Sequence, residues 1–165
     1  MDITIRRING DEWRLWRSLR LRAVEESPDA FRSPLAQESA EADESWRELI
    51  ANAAADPRGL LLVAEVDSDP VGMMFGRIDA ISDTLDVGTL WVDPDLRRKG
   101  VGRGLLESSL NWARAAGATG AELWVTLGND AAEALFESAG FRPTTETEPL
   151  RAGSELSVMR MSTAL

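Results

Sequence analysis

The chain has 165 residues, a net charge of −10, and no cysteine, histidine or tyrosine. Its apolar fraction of 44% and charged fraction of 28% are ordinary for a soluble globular protein, and its length fits one domain over residues 1–165. The missing residue types exclude disulfides, thiolate zinc sites, histidine-rich metal sites and a Ser-His-Asp hydrolase, so we expect no metal. The acidity disfavours nucleic-acid binding, and the lack of a membrane-length apolar run or signal-peptide pattern predicts a cytoplasmic protein without a membrane partner.

Hydrophobic periodicity predicts the elements of the first half of the chain. Apolar residues alternate at strand spacing from Ile3, and tryptophans at helical spacing follow Asp11, a residue type favoured at the N-cap. The predicted elements are a strand from Ile3 to about Arg7, a helix from an Asp11 cap to Glu26, a two-proline loop at 27–34, a helix at 43–54, and strands at 60–66, 71–79 and 84–92.

The second half alternates helices with strands. The predicted elements are a helix from a glycine-rich turn to Gly117, a strand at 121–126, a helix from Asn129 to Ala139 closed by Gly140, and two strands from Phe141 onward and over 155–161. A strand, a helix and a strand in succession indicate a helical crossover between parallel strands, so we expect an α/β fold of the α+β type. Its mixed, twisted sheet would have about seven strands and about four flanking helices.

A cationic, glycine-rich turn follows the strand that ends at Val92. After Leu90-Trp91-Val92-Asp93-Pro94 come Arg97-Arg98-Lys99 and then three alternating glycines from Gly100 to Gly104. Glycines let a ligand approach the backbone, and a helix start presents unpaired N–H groups, so the turn predicts a site for a phosphate-bearing ligand. Neither a GxGxxG fingerprint nor a GxxxxGK[ST] P-loop is present. The alternative is a turn that uses its glycines only for tight packing.

Four segments carry a recurrent pattern: Arg20 to Ala23, Ser27 to Phe31, Arg97-x-x-Gly100-x-Gly102, and Asn129 with Ala134, Phe136 and Gly140-Phe141. Together they resemble the GNAT N-acetyltransferase superfamily, whose acetyl-CoA signature is [RQ]-x-x-G-x-[GA], over nearly the whole chain. The resemblance implies a GNAT-like sheet, acetyl-CoA as co-substrate and an amine as acceptor. It also makes a homodimer possible.

The resemblance implies a clamp for acetyl-CoA. Backbone N–H groups between Arg98 and Gly104 would hold the pyrophosphate, with charge added by the side chains of Arg97 and Lys99. Trp91 and Val92 would offer backbone groups to the pantetheine arm where two strands part, and the Val92 amide would stabilise the oxyanion. Asn129 would bind the arm or cap its helix. The expected cofactor-binding residues are Trp91, Val92, Arg97, Arg98, Lys99, Gly100, Val101, Gly102, Arg103, Gly104, Asn129 and Phe136.

Proton transfer is the step at which this chain departs from the family. Many members place a tyrosine on the second-motif helix to protonate the departing sulfur, whereas this chain has Phe136 and no tyrosine. A thiol of pKa ~8.5 leaves tolerably well as a thiolate, so water or the proton of the attacking amine would suffice. Because no cysteine nucleophile exists, we expect the amine to attack the thioester directly in a ternary complex.

Four carboxylates are candidates for the base that deprotonates the substrate ammonium. Asp86 is the first, because it precedes Val92 by six residues and would share its face in a regular strand. Glu26 and Glu25, at the end of the first helix, come next, and Glu122 on the neighbouring strand is a weaker candidate. For each of the four, the alternative is an ordinary solvated carboxylate.

The sequence therefore predicts an acetyl-CoA-dependent N-acetyltransferase. Two other functions remain open: a non-catalytic acyl-CoA sensor, which the missing tyrosine, cysteine and histidine would suit, and a phosphate- or nucleotide-binding module. Peptide amines, polyamines, aminoglycosides and small amino acids all remain open as acceptors. Trp91 and Trp124 are expected in the core, with a wall of the acceptor pocket as the alternative.

Overall fold

Seven strands and five helices make up the fold, and the computed structural model describes all 165 residues. The strands are β1 Ile3–Arg7, β2 Gly59–Val66, β3 Asp69–Ile78, β4 Thr84–Val92, β5 Gly120–Thr126, β6 Arg142–Pro149 and β7 Ser157–Ala164. The helices are α1 Trp13–Glu26, α2 Leu35–Ser39, α3 Asp43–Ala55, α4 Val101–Ala115 and α5 Asp130–Ser138. None of the five helices has the length and apolar character that a membrane crossing requires.

All seven strands belong to one mixed sheet in the order β1-β2-β3-β4-β5-β7-β6. Strands β1 to β4 are successive antiparallel neighbours, and so are β5, β7 and β6. The single parallel pair is β4 with β5, joined by α4. This pair confirms the predicted helical crossover and lies at the centre of the sheet.

Each face of the sheet carries its own hydrophobic core, because successive strand residues point to opposite faces. In β2, Leu62 and Ala64 pack in the core that includes Leu105 of α4, whereas Leu61 and Val63 pack in the core that includes residues of α1 and α3. We call these two sides the α4 face and the α1 face.

β4 contains one more residue than the stretch of β3 that it pairs with. Phe75 lies opposite Thr89, but the next residue, Gly76, lies opposite Val87, which leaves Gly88 as a β-bulge. A Cβ at Gly88 would lie 3.2 Å from the Phe75 ring, so glycine allows the two strands to stay close here.

The bulge changes which residues of β4 share a face. Val87 before it and Val92 after it both lie in the core of the α4 face, although five positions separate them. Asp86 therefore lies on the α1 face, the side of buried Trp91. The expectation that Asp86 and Val92 share a face is wrong, because it assumed a regular strand.

The N-terminal half differs from the prediction in two details. Residues 35–39 form the short helix α2, beyond the predicted loop. The N-cap residue of α1 is Glu12 rather than Asp11, and its side chain makes no hydrogen bond to the helix. The Glu12 carboxylate accepts instead from the N–H of Asn9 and from Arg6, both at 2.9 Å. The Arg6 and Asn9 hydrogen bonds hold the pKa of Glu12 below its usual range. The C-terminal end of α5 agrees with the prediction, since Gly140 closes it with φ of +101°.

Replacing Phe141 by alanine tests the core of the α4 face. Phe141 is fully buried, and its ring meets that of Phe136 edge-on with centroids 6.2 Å apart. We expect Phe141→Ala to lower the free energy of unfolding by about 3–5 kcal/mol, because it removes a large apolar group and leaves a cavity. Urea denaturation followed by tryptophan fluorescence measures the change. Ile81→Ala is the control: Ile81 is 95% exposed, and an effect above about 0.5 kcal/mol there would contradict this description of the core.

Candidate active site

The two central strands part beyond the bulge. The parallel register of β4 and β5 ends where Val87 lies opposite Leu123. Beyond that point residues 89–92 pair only with β3, and residues 124–126 pair only with β7. The predicted parting of these strands is confirmed. It leaves a cleft between their C-terminal ends, the edge at which open α/β sheets bind ligands.

Unpaired backbone groups of β4 point into this cleft. The N–H of Asp93 donates to the carbonyl of Val71 on β3 at 2.7 Å, and backbone groups alternate in direction along a strand. The N–H groups of Leu90 and Val92 therefore face the cleft, whereas the backbone of Trp91 faces β3, contrary to the prediction. Sequence reasoning missed Leu90, although alternation from Val92 identifies it.

A cavity of about 430 Å³ opens at the C-terminal end of the cleft. Residues 26–30, from the last residue of α1 onward, and residues 126–129, from the last residue of β5 onward, form its opposite walls. The Thr126 hydroxyl donates to the carbonyl of Asp29 at 2.7 Å, which ties the two walls together. Backbone and polar groups thus line the place where the parted strands end.

The turn after β4 brings the start of α4 to the same place. Arg98 and Gly100 adopt left-handed conformations with φ of +60° and +92°. The first helical hydrogen bond runs from the N–H of Gly104 to the carbonyl of Gly100 at 2.9 Å. The N–H groups of residues 101–103 therefore have no acceptor within the helix. The side chain of Val101 is buried in the core, so it offers only its N–H group.

Gly102 and Gly104 let α4 pack closely against the sheet. A Cβ on Gly102 would lie 3.6 Å from the Val92 side chain and 3.3 Å from that of Leu135. A Cβ on Gly104 would lie only 2.7 Å from Ile5 on β1. Since the Gly104 N–H is already bonded within the helix, this glycine serves helix–sheet packing and not the predicted cofactor contact.

Two cations of the turn are free. Arg98 and Lys99 are exposed and form no ion pair. Arg103 donates to Glu107 at 2.7 Å and to the hydroxyl of Ser138 at 3.2 Å, which joins α4 to α5. The charge available to an anion at the start of α4 therefore comes from Arg98 and Lys99.

Arg97 turns back from the helix start toward α1. Its Nε donates to the carbonyl of Val92 at 3.0 Å, and its terminal nitrogen pairs with Glu26 at 2.7 Å. The indole N–H of Trp91 also donates to Glu26, at 3.0 Å. Burial alone would raise the pKa of Glu26, but hydrogen bonds from Ser27, the indole and the guanidinium lower it. A carboxylate held in this way is poorly suited to the predicted role of alternative base.

Asp86 is an exposed carboxylate in the paired part of β4. On the α1 face it lies opposite Arg77 of β3 and opposite Glu122 of β5. Partial burial raises its pKa; attraction by Arg160 opposes that rise and repulsion by Asp79 adds to it. Glu122, in contrast, is ion-paired with Arg160. Asp86 forms no ion pair, so of the two carboxylates it is the one left free to accept a proton.

A second cavity, of about 480 Å³, lies between the helices and the α1 face of the sheet. Its lining combines three aromatic and two acidic side chains with aliphatic and neutral polar ones; the aromatic and acidic residues are Trp16, Trp46, Phe75, Glu38 and Glu41. It reaches β4 at Thr89, whose hydroxyl accepts from Arg20 at 2.8 Å, and Arg20 is neutralised by Glu38 at 2.7 Å. The cavity therefore meets the sheet beside the bulge and carries one carboxylate, that of Glu41, beyond the Arg20–Glu38 pair.

Asn129 and Phe136 of the second motif support the fold. The Asn129 side chain accepts from the N–H of Ala132 at 3.3 Å and caps α5, which confirms the capping alternative. Phe136 is 8% exposed and packs in the core of the α4 face, the cluster that includes Val92.

Known acetyltransferases resemble the chain in sequence. It is 32% identical to the mycothiol acetyltransferase of Kocuria rhizophila over 138 residues, which are 80% of this chain and 43% of that protein. It is 44% identical to the ribosomal protein bS18-alanine N-acetyltransferase of Escherichia coli over 76 residues, which are 42% of this chain and 51% of that protein. The chain thus spans less than half the length of the mycothiol acetyltransferase.

Solved structures share the fold. An acetyltransferase of the GNAT family from Streptococcus pneumoniae superposes with a TM-score of 0.81 at 20% identity, over 99% of both chains. The spermidine N-acetyltransferase of Vibrio cholerae, solved with CoA and spermine, superposes with a TM-score of 0.80 at 19% identity, over 98% of this chain and 95% of that one. The model of the acetyltransferase (GNAT) family matches residues 20–141. The chain therefore belongs to the GNAT acetyltransferase family.

Proposed function

We propose that this protein transfers the acetyl group of acetyl-CoA to a primary amine, by direct attack of the amine on the thioester. One observation carries the proposal: in a chain of the GNAT family, β4 and β5 part into a cleft that ends beside an uncapped helix start and two unpaired cations. Such a cleft admits a slender arm, and the helix start binds the anionic end of the same ligand.

The start of α4 fits the pyrophosphate of acetyl-CoA. The N–H groups of residues 101–103 are free to donate, and the missing Cβ of Gly102 lets the start of the helix lie close to Val92 at the end of the cleft. Arg98 and Lys99 would add charge from the turn. Arg97 is bound to the Val92 carbonyl and Gly104 is packed against β1, so neither contributes to the clamp. The clamp is therefore smaller than the motif alone suggests.

The cleft fits the pantetheine arm and the thioester. The N–H groups of Leu90 and Val92 face it, and either one could donate to the thioester carbonyl when acetyl-CoA supplies its activated acetyl group. A fixed backbone donor stabilises the negative charge that develops on that oxygen when the amine adds. The cavity between residues 26–30 and 126–129 would receive the arm where it leaves the strands.

The amine would approach from the α1 face. Asp86 lies on that face, and the second cavity meets β4 at Thr89, three residues further along the strand. A surplus of carboxylate attracts an ammonium group, and the aromatic walls would take an apolar portion of the acceptor. Asp86 would accept the proton that the ammonium must lose before it attacks, through a chain of water molecules, because four strand positions separate it from Leu90.

The departing sulfur would not be protonated by α5. Phe136 occupies the position where many family members carry a tyrosine, and it is buried in the core. A thiol of pKa ~8.5 is a tolerable leaving group near neutral pH, so proton uptake from water completes the reaction. The relatives, all named as acetyltransferases, favour an enzyme over an acyl-CoA sensor.

Titration and turnover together test the proposal. Calorimetry with acetyl-CoA, CoA and ATP should show micromolar-range binding of both CoA forms and much weaker binding of ATP. Thiol release in the presence of a panel of peptide amines, polyamines and small amines should then identify an acceptor. A preference for ATP would contradict the assigned site, and tight acetyl-CoA binding without turnover on any amine would support a sensor.

A charge placed at Gly102 tests the pyrophosphate site. We expect Gly102→Glu to abolish detectable CoA binding, because the new carboxylate would lie at the uncapped helix start and repel the pyrophosphate. Gly102→Gln is the matched control, since it adds nearly the same bulk without the charge and should retain more affinity. Circular dichroism confirms that both variants fold. Equal affinity of Gly102→Glu and the unmodified protein would place the phosphates elsewhere.

Removing the carboxylate of Asp86 tests the base. We expect Asp86→Asn to lower kcat by ~10²–10⁴ with CoA affinity unchanged, because one acid–base group is lost. In the unmodified enzyme kcat/KM should fall as the pH drops through the raised pKa of Asp86, and the variant should lack this limb. Since the raised pKa makes the ionised carboxylate a cost to the fold above that pKa, the variant should be no less stable at neutral pH. A kcat within a factor of two of the original would exclude Asp86.

A further inference from the structure

The last turn of α1 is fastened to the turn that follows β4. Arg22 pairs with Asp93 at 2.6 Å, and its guanidinium lies 5.5 Å from the centre of the Trp91 ring. One turn further on, Glu26 accepts from the Trp91 indole at 3.0 Å and from Arg97 at 2.7 Å. Side chains thereby join α1 to the turn that follows β4.

Glu26 is the centre of this connection. Its Oε2 oxygen accepts from both the indole and the guanidinium, and the neighbouring Ser27 hydroxyl donates to it as well. The same guanidinium also donates to the carbonyl of Val92, the last residue of β4. Arg97 therefore spans the gap between α1 and the end of the strand, and Glu26 holds it there.

Such contacts fix the path of the chain between the cleft and the helix start. Only residues 93–100 separate the Val92 amide from the free N–H groups of residues 101–103. A ligand bound at the Val92 amide and at the start of α4 requires a fixed separation between these two places. If the connecting residues were flexible, ordering them on binding would reduce the affinity. The Arg97 link to Val92 and Glu26 shortens the freely moving part of this connection to residues 98–100.

We infer that Glu26 is a positioning residue for the acetyl-CoA clamp: by holding Arg97 and Trp91 it keeps the β4 end and the start of α4 arranged for one ligand. The inference rests on the proposed function. It gives Glu26 a role other than proton acceptor and gives the arginine of the glycine-rich motif a role other than direct phosphate contact.

Removal of the Glu26 carboxylate should affect the stability of the fold and the affinity for CoA differently. The Glu26 side chain is 33% exposed and the Arg97 side chain 44%, and ion pairs this accessible contribute little to global stability. Loss of the carboxylate should therefore leave the unfolding transition nearly in place. Affinity for CoA should fall, because the free protein would populate loop arrangements that do not bind.

Neighbouring glutamates provide a matched pair of variants. Glu26→Gln keeps an oxygen for the indole but loses the charge that holds Arg97. Glu25→Gln makes the same charge change one residue away, at an exposed side chain without a hydrogen bond or ion pair. The measurements are the Kd of CoA by calorimetry, Tm, the KM of acetyl-CoA, kcat and its pH profile.

We expect Glu26→Gln to raise both the Kd of CoA and the KM of acetyl-CoA roughly tenfold, the order expected when a charge-assisted hydrogen bond is lost. Its kcat and pH profile should match those of the unmodified enzyme, and its Tm should stay close. Glu25→Gln should match the unmodified enzyme in the Kd of CoA, the KM of acetyl-CoA and Tm.

Two results would overturn the inference while the proposed function stands. One is binding of CoA by Glu26→Gln that equals binding by Glu25→Gln. The other is a collapse of kcat with a lost pH limb and unchanged CoA affinity, which would make Glu26 the base. Failure of the unmodified protein itself to bind CoA is a separate result, and it would refute the proposed function together with the inference.

Discussion

One extra residue in β4 determines how this sheet is built around its centre. Up to Val87 the strand pairs with β5; after the Gly88 bulge it follows β3 alone, and the parallel pair opens. The opening leaves backbone N–H groups of β4 without partners. A buried donor without a partner is costly, so a ligand that accepts from these groups gains more than the same contact would give at an exposed strand. The bulge also moves Asp86 to the α1 face, away from the side chain of Val92.

The two sides of the cleft differ in charge, and the difference suits two substrates that enter from opposite sides. At the start of α4 an uncapped helix end, Arg98 and Lys99 form a local cationic site in a protein with a net charge of −10. On the α1 face Asp86 and the acidic lining of the second cavity present the opposite sign. Glu26 stands between them, bound to the turn on one side and lining the first cavity on the other.

Much of the fold could be predicted from the sequence, because strand alternation and helical stripes report which face of each element is buried. The order of elements, the single crossover and the glycine that closes α5 were all readable. The bulge could not be predicted, since a single glycine in a strand is compatible both with an extra, unpaired residue and with close packing in a regular strand. Because of the bulge at Gly88, Asp86 lies on the α1 face and not on the face of the Val92 side chain. The motif likewise located the helix start, yet it could not show that Gly104 packs against Ile5 or that Arg97 reaches Glu26, because both contacts join residues far apart in the chain.

Amide chemical shifts under CoA titration would test most directly whether CoA binds to the free N–H groups of β4 and of the start of α4. The largest perturbations should fall on Leu90 and Val92 in β4 and on residues 101–103 at the start of α4. The amide of Gly104, already bonded to the carbonyl of Gly100, should respond less than its three predecessors. Perturbations confined to the cavity between the helices and the α1 face, with the amides of β4 and α4 unmoved, would contradict the account.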